Sequence, residues 1–397
     1  MAPRWVVASG VGLVQMLAFG TSLYLLTVLS QPIRADTGWP LPWIIGGMSA
    51  GQLAGAAVAP RVGRWIKRHG GRPALSVSSL LFAAGLATLA LSPNLAAYFA
   101  GWIVIGLAMA CGLYDTAFGA LGRLYGLEAR RSITTVTLWG GFASTVFWSL
   151  SGVLVTAIGW RWTCGVFAAM HLLVGLPVYR FLLPAAEPHV EAAPGTQNAA
   201  APALSATARS ARSAIVMLGA VLMSETLVAS IISVHLVTLL RERGLTMAAA
   251  IGLGVFIGPT QVSARFGESM FGTRIHPSLT MIVAVGAITL GVGLLPILPL
   301  SIAAVALMSY GAGIGLVSIS RGSLPLYLFG PLEAPVVSGR LGRPIAVTSA
   351  LAPSIGAFLI THAGGQFTLW LLTAVSAISV LAAVALRGQA QRMAILP

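Results

Sequence analysis

Apolar segments long enough to cross a lipid bilayer recur along the whole chain, separated by short connections. A helix needs about 20 apolar residues to span the hydrocarbon core. Only 8% of the 397 residues are charged, whereas charged residues make up about 25% of soluble domains. The sequence therefore predicts an all-α polytopic membrane protein. Its twelve predicted transmembrane helices lie near residues 8–30, 42–60, 73–92, 96–124, 132–158, 162–183, 214–240, 247–271, 277–296, 299–329, 344–363 and 366–386.

Positive charge is concentrated in alternate connections between these spans. Four arginines fall in one set of connections, Arg265 and Arg321 fall inside spans, and all other cations fall in the opposite set. Because cytoplasmic loops carry the excess of Lys and Arg, both termini are expected in the cytoplasm. We interpret the net charge of +14 as an insertion signal, with no nucleic-acid partner. The preference for Arg over Lys favours a bacterial inner membrane. The four outer arginines are Arg34, Arg161, Arg241 and Arg243.

An Ala- and Pro-rich stretch at 184–212 divides the spans into two sets of six. We predict an N-terminal half at 1–183, a cytoplasmic linker at 184–212 and a C-terminal half at 213–397. Short echoes support a repeat: Gly126-Leu-Glu-Ala precedes the fifth span, and Gly330-Pro-Leu-Glu-Ala precedes the eleventh. Since each echo has the same membrane direction, the halves are predicted to be parallel repeats.

The connection between the second and third spans reads Gly-Arg-Trp-Ile-Lys-Arg-His-Gly-Gly-Arg over residues 63–72. It resembles the corresponding loop of the major facilitator superfamily, whose pattern is matched by Gly63, Arg68, Gly70 and Arg72. Lys67 stands where the family has an Asp that helps to latch the cytoplasmic ends of the two halves. The resemblance implies a secondary transporter of two six-helix halves. We interpret the segment as a gating loop or, alternatively, as positive-inside anchors; its residues are Gly63, Arg64, Arg68, Gly70 and Arg72.

Gln261, Arg265 and Glu268 recur at i, i+4 and i+7 in the eighth span. Charge is costly at membrane depth, so this stripe is predicted to face protein or a cavity. Arg265 is interpreted either as a receptor for an anion, which a guanidinium binds through two parallel hydrogen bonds, or as a partner of Glu268 in a local ion pair. Monocarboxylate and oxalate/formate transporters of the superfamily, which the chain loosely resembles, carry a substrate-binding arginine in this span.

Three further charges and one tyrosine complete the candidate site. Glu225 lies near the centre of the seventh span, where it is predicted to carry a proton or to serve as a structural acid. Asp115 and Arg321 occupy related positions in the fourth and tenth spans, whose helices line the central cavity in the superfamily. They are predicted to pair across the halves, breaking the pair in one access state. Tyr114 is a candidate substrate contact beside Asp115.

The spans contain no nucleotide-binding or metalloprotease motif, so we expect no enzyme activity, no cofactor and no bound metal. The predicted function is secondary transport of a small solute by alternating access, with an organic anion or monocarboxylate as the expected substrate and a proton or another ion as the coupling ion. The alternative is efflux of a lipophilic drug or metalloid. The expected partners are the small-molecule substrate, the coupling ion and the lipid bilayer, and the chain is expected to act as a monomer.

Overall fold

The computed structural model describes residues 3–185, 201–272, 275–297, 299 and 302–395. Within these residues the chain is helical and forms no β-strand. Two π-helical segments, His171–Gly175 and Val178–Leu182, follow α8. The α-helices are α1 (Arg4–Gly20), α2 (Leu25–Thr37), α3 (Leu41–His69), α4 (Gly71–Leu91), α5 (Leu95–Gly112), α6 (Tyr114–Tyr125), α7 (Ala129–Gly141), α8 (Ala143–Met170), α9 (Ala201–Glu242), α10 (Met247–Gly254), α11 (Ile257–Phe271), α12 (Pro277–Leu294) and α13 (Ala303–Ile395).

Glycines with positive φ divide the longest helical stretches. Gly159 interrupts α8 at φ 75°, and α13 is interrupted at Gly330, with φ 73°, and at Gly364, with φ 81°. Only glycine adopts this region without a steric cost. Counted with these breaks, the membrane-length helical stretches are consistent with the twelve predicted spans. Gly126 and Gly330, which begin the two similar sequence segments, both have positive φ, so the two segments share a backbone conformation as well as a sequence pattern.

Apolar side chains cover much of the surface of the helices, as a bilayer-embedded chain requires. Trp162, Phe181 and Leu381 are among the large side chains exposed by more than two thirds. In the part of the chain that the structure describes, seven helical stretches are long and apolar enough to cross a membrane; α3 is not among them, because its glycines and Gln52 lower its hydropathy. They are Arg4–Thr37, Gly71–Leu91, Leu95–Leu182, Ala211–Glu242, Met247–Phe271, Pro277–Leu294 and Ala303–Gln389.

Two of these stretches contain 88 and 87 residues. At about 1.5 Å per residue each is several times longer than the bilayer core of about 30 Å. Each of these stretches therefore contains several spans, separated by the breaks at Gly126 and Gly159 in the first and at Gly330 and Gly364 in the second.

The chain divides into two compact units. The first contains Met1–His189 and Gly330–Ala346, and the second contains Val190–Phe329 and Val347–Pro397. The segment 330–346 thus packs with the first unit although it lies late in the sequence. Of the predicted linker, residues 186–200 lie outside the described residues, and residues 201–212 are helical in α9.

Several predicted spans are interrupted near their middle. α1 gives way to α2 at residues 21–24, α5 to α6 at Leu113, α7 to α8 at Phe142, and α10 to α11 at residues 255–256. Irregular backbone is tolerated at membrane depth only where protein or a cavity satisfies it. At the α5–α6 break, the Thr116 hydroxyl donates to the Ala110 carbonyl at 2.9 Å, and the Gln15 amide donates to the Gly112 carbonyl.

Candidate functional site

Arg265 is buried on α11 in the second unit, with 6% of its surface exposed. Its Nε donates to Ser318 Oγ at 3.1 Å and lies 3.5 Å from the Gly315 carbonyl oxygen. Its Nη2 donates to Gln261 Oε1 at 3.4 Å. The structure therefore brings Gln261 and Arg265 together, and neutral groups on two helices orient the guanidinium.

Small residues on α13 allow this contact. A methyl group on Gly315 would lie 2.6 Å from the Gln261 carbonyl oxygen, and one on Gly311 would lie 2.7 Å from that of Ile257. Such distances are too short for carbon and oxygen, so both positions require glycine for the close approach of the two helices. Ser318, one turn beyond Gly315, can then reach the Arg265 side chain.

Glu268 is also buried, at 8% exposure. Its carboxylate folds along its own helix, so close to Gly272 that a methyl group there would overlap it. The stripe of Gln261, Arg265 and Glu268 is therefore turned toward protein, as its spacing predicts. The assignment of Arg265 as an anion receptor or as a partner of Glu268 stays a prediction.

Glu225 is 2% exposed and lies in the middle part of α9. Ser376 donates to its Oε1 at 3.2 Å, and Ser376 also shares a 2.8 Å hydrogen bond with Thr289. The hydrogen bonds described for this acid thus link it to hydroxyl groups of α12 and α13. Sequence reasoning located the acid but not its serine partner, which lies 151 residues away in a weakly patterned apolar span.

Tyr114 lies where three interrupted spans of the first unit meet. Its ring is 4.5 Å from that of Phe19, at the end of α1, and 4.9 Å from that of Phe118. A methyl group on Gly140, at the end of α7, would overlap the Tyr114 hydroxyl. Tyr114, the predicted substrate contact, is therefore part of an aromatic cluster that packs beside the breaks in these helices.

Asp115 follows Tyr114 in the first turn of α6 and is half-buried. A carboxylate is favoured there because the N-terminus of a helix carries partial positive charge. Arg321, also half-buried, lies on α13 in the second unit. The pairing of these two residues stays a prediction.

The expected gating loop is wrong in its extent. Gly63, Arg64 and Arg68 lie in α3, which continues to His69, and only Gly70 forms the turn, with φ 75°. No residue between Gly63 and His69 ends the helix, and the cations near the C-terminus of α3 interact favourably with the helix dipole. Arg72, at the start of α4, donates to the Arg180 carbonyl.

Lys67 forms an ion pair with Glu333, with 2.7 Å between Nζ and Oε1. Backbone contacts surround the pair: a methyl group on Gly63 would overlap the Pro335 carbonyl oxygen, and Gly339 closely approaches Ala59. Arg343 donates to the Ala57 carbonyl at 3.2 Å. α3 and the segment 330–346 are thus joined within the first unit; we call this contact the α3 clamp.

Sequence reasoning missed a polar contact that recurs in both units. In the first, Asp36 accepts a 3.0 Å hydrogen bond from Trp160 Nε1 and lies 3.4 Å from Arg161 Nε. Arg161 also donates to the carbonyls of Ala90 and Ser92, at 3.0 and 2.9 Å. This contact, which we call the first clasp, joins the ends of α2 and α4 to the two residues that follow Gly159.

The second unit repeats the arrangement about 205 residues later. Glu242 accepts a 2.6 Å hydrogen bond from the Gly365 amide, and Gln366 donates to the Pro296 carbonyl at 3.3 Å. The offset between Asp36 and Glu242, and between Arg161 and Gln366, was a signal in the sequence. The repeat is hard to recognise because the residues differ chemically. In the second unit the backbone amide of Gly365 takes the place of the Trp160 side chain, and the Gln366 amide takes the place of the Arg161 guanidinium.

Comparison with known proteins agrees with this architecture. The human organic anion transporter MFSD10 (TETRAN) superposes with a TM-score of 0.75 at 18% identity, covering 96% of this chain and 100% of that one. The proton:xylose symporter XylE gives 0.68 at 12% identity, with coverages of 95% and 94%. The E. coli fucose:proton symporter FucP gives 0.68 at 15% identity, with coverages of 95% and 97%. Among curated protein sequences, none matches.

At these identities the solved structures establish the fold and leave the substrate open. The sequence profile of the Major Facilitator Superfamily matches residues 11–342, which include most of the first compact unit and the Val190–Phe329 part of the second. The sequence pattern of residues 63–72, the all-helical architecture and this match agree. The chain therefore belongs to the major facilitator superfamily of membrane transporters.

Proposed function

We propose that this transporter moves a small organic anion across the membrane by alternating access, with Arg265 as the receptor for the anionic group. The main support for this proposal is the buried guanidinium of Arg265, which is oriented by Ser318, Gly315 and Gln261. Because those partners fix the direction of the side chain before an anion arrives, less conformational entropy is lost on binding. A bidentate carboxylate is the ligand that matches a planar guanidinium.

Glu225 is proposed as the proton-carrying group of the same unit. Its described partners are the hydroxyls of Ser376 and, through it, Thr289. Hydroxyl groups can both donate and accept, so they can accommodate either protonation state of the acid without loss of an ion pair. A carboxyl group in these surroundings suits reversible protonation during a transport cycle.

The α3 clamp is proposed to supply the gating contact for which the family uses an acid. Lys67 reverses the charge at that position, and Glu333 supplies the opposite charge from a segment far along the sequence. The pair is partly solvated, with side-chain exposures of 20% and 51%. An ion pair of this kind contributes about 0–1 kcal/mol, which suits a contact that forms and breaks.

Ligand screening by thermal shift tests the anion assignment. Purified protein is heated with small carboxylates, neutral compounds of matched size and lipophilic cations. A ligand that binds the folded state raises the midpoint of unfolding, and carboxylates are expected to do so in wild type but not in Arg265→Gln. Arg161→Gln, which removes a guanidinium elsewhere, is the control and is expected to keep the carboxylate shift. A carboxylate shift that survives Arg265→Gln would contradict the assignment.

The aromatic cluster of Phe19, Tyr114 and Phe118 favours a second candidate, export of a lipophilic compound. Aromatic faces bind apolar and cationic ligands without a charged receptor. The same screen separates the candidates, because a lipophilic ligand would keep its shift in Arg265→Gln and lose it in Tyr114→Ala.

A further inference from the structure

Three arginines near the end of α3 have no role in the proposed anion site. Arg61, Arg64 and Arg68 recur at i, i+3 and i+7, so they share one face of the helix, and all three are exposed. In the part of the chain that the structure describes, their guanidinium groups form no hydrogen bond or ion pair. Like charges at this spacing repel each other. An external anion would therefore stabilise this row, which we call the arginine stripe.

The arginine stripe points away from the α3 clamp. At 3.6 residues per turn, Arg61 and Arg68 lie about 140–160° around the helix from Gly63, which faces the Pro335 backbone. Lys67, which pairs with Glu333, lies on the Gly63 side. The clamp therefore does not account for the stripe.

The helix dipole accounts for one of the three cations. Its favourable interaction with positive charge is confined to the last turn of a helix, which in α3 contains Arg68. Arg61 and Arg64 lie between one and just over two turns before the end of the helix at His69. Their placement has to be explained by something outside the helix.

The arginine stripe begins where the apolar part of α3 ends. The helix has 29 residues and is about 44 Å long, whereas the hydrocarbon core is about 30 Å thick. Residues 41–60 carry no charge, and the exposed residues that precede Arg61 on its face are Leu53 and Ala57. Arg64 and Arg68 lie about 4.5 and 10.5 Å further along the axis. Because the headgroup region adds about 5–8 Å on each side, the stripe crosses the layer that contains lipid phosphates.

A fourth cation is held at the start of the arginine stripe. Arg343, from the segment 330–346 of the same unit, donates from Nη2 to the Ala57 carbonyl at 3.2 Å. A helical carbonyl points toward the residue four positions later, so this guanidinium lies beside the backbone of Arg61. Arg343 is exposed and, among the described residues, pairs with no carboxylate. It adds positive charge at the boundary of the apolar region.

We propose that the arginine stripe binds the phosphate groups of anionic phospholipids in the bilayer around the protein. A guanidinium binds phosphate through two parallel hydrogen bonds, and anionic membrane surfaces attract clusters of Lys and Arg. A phospholipid matches the whole face, because its acyl chains meet Leu53 and Ala57 while its phosphate meets the arginines. A soluble anion matches the arginines alone. This inference does not depend on the substrate of the transporter.

Lipid titration of the purified full chain in a neutral detergent tests the proposal, with bound lipid counted by native mass spectrometry. Phosphatidylglycerol and phosphatidylcholine of identical acyl chains both contain a phosphate, but only phosphatidylglycerol has a net negative charge. Wild type is expected to bind phosphatidylglycerol more tightly. The triple variant Arg61→Gln/Arg64→Gln/Arg68→Gln is expected to weaken the tightest phosphatidylglycerol binding at least about 10-fold, because each cation near an anionic surface contributes about five-fold.

A control variant with the same change in net charge makes the test specific. Arg34→Gln/Arg131→Gln/Arg387→Gln removes three cations from α2, α7 and α13 and is expected to keep the wild-type affinity for phosphatidylglycerol. Wild-type affinity in the stripe variant, or an equal loss in the control variant, would overturn the proposal.

Wild type alone supplies a second test that needs no substitution. Equal binding of the two lipids by wild type would contradict the proposal. In a further arm, inorganic phosphate and polyglutamate are added at constant ionic strength, and neither is expected to displace phosphatidylglycerol. Displacement by either would assign the arginine stripe to a soluble anion or to an acidic protein segment and would overturn the lipid assignment.

Discussion

Lys67 donates a hydrogen bond to Glu333 across 266 residues of sequence. Because Lys67 stands where the family has an Asp, the sequence predicts an altered gate. The ion pair shows that Glu333 balances the positive charge of Lys67. Gly63 and Gly339, with no side chains, let the two helical segments come close enough for the pair to form.

Exchange of the two charges tests the α3 clamp. Lys67→Glu and Glu333→Lys are each expected to change the transport rate about two- to five-fold, because loss of about 0.5–1 kcal/mol shifts an access equilibrium by that factor. The double variant, which restores an ion pair of reversed direction, is expected to recover most of the wild-type rate. Initial rates in proteoliposomes provide the measurement. Additive losses in the double variant would show that the two residues act independently.

Replacement of Glu225 by Gln separates proton coupling from solute movement. The amide keeps an acceptor for the Ser376 hydroxyl but cannot release a proton. Accumulation driven by a pH gradient is expected to be lost, whereas exchange of labelled against unlabelled solute at equal pH continues. Glu128→Gln, at an exposed acid, is the control. If gradient-driven accumulation persists in Glu225→Gln, another group carries the proton.

The first clasp is expected to stabilise the first unit and to have no direct role in transport. Arg161→Ala removes the 3.0 and 2.9 Å hydrogen bonds to the carbonyls of Ala90 and Ser92, and these are worth about 1–2 kcal/mol together. We expect the Tm to fall by about 2–4 °C with the substrate affinity unchanged. Arg34→Ala, at a neighbouring predicted outer position, is the matched control. A large loss of affinity with no change in Tm would instead place Arg161 in the transport mechanism.

Much of the fold could be predicted because lipid imposes a simple rule on sequence. Spans must be apolar and about 20 residues long, and this rule located Arg265 and Glu225 inside helices correctly. The extent of the segment around Gly63 was predicted wrongly, because glycine spacing alone does not distinguish a turn from a close helix contact. Of its glycines, Gly70 has the positive φ of a turn, while Gly63 faces the Pro335 backbone.

The distant partners of Glu225, Arg265 and Lys67 could not be predicted. Ser376 beside Glu225 and Ser318 beside Arg265 are single hydroxyls in apolar runs, where serine is equally compatible with ordinary helix packing. The position of Glu333 near Lys67 depends on the path of the chain over 266 residues. Such pairs follow from tertiary packing, and local periodicity carries no signal for them.

The most direct test of the anion assignment is counterflow in proteoliposomes containing wild type, Arg265→Lys or Arg265→Gln. A labelled carboxylate that raises the Tm of the wild type is exchanged against the same unlabelled compound at equal pH on both sides. Wild type is expected to exchange it, Arg265→Lys to exchange it with weaker apparent affinity, and Arg265→Gln to lose exchange by at least about 10-fold, because a charge-assisted bidentate contact is worth more than about 1.4 kcal/mol. Exchange by Arg265→Gln at the wild-type rate and affinity would contradict the central claim.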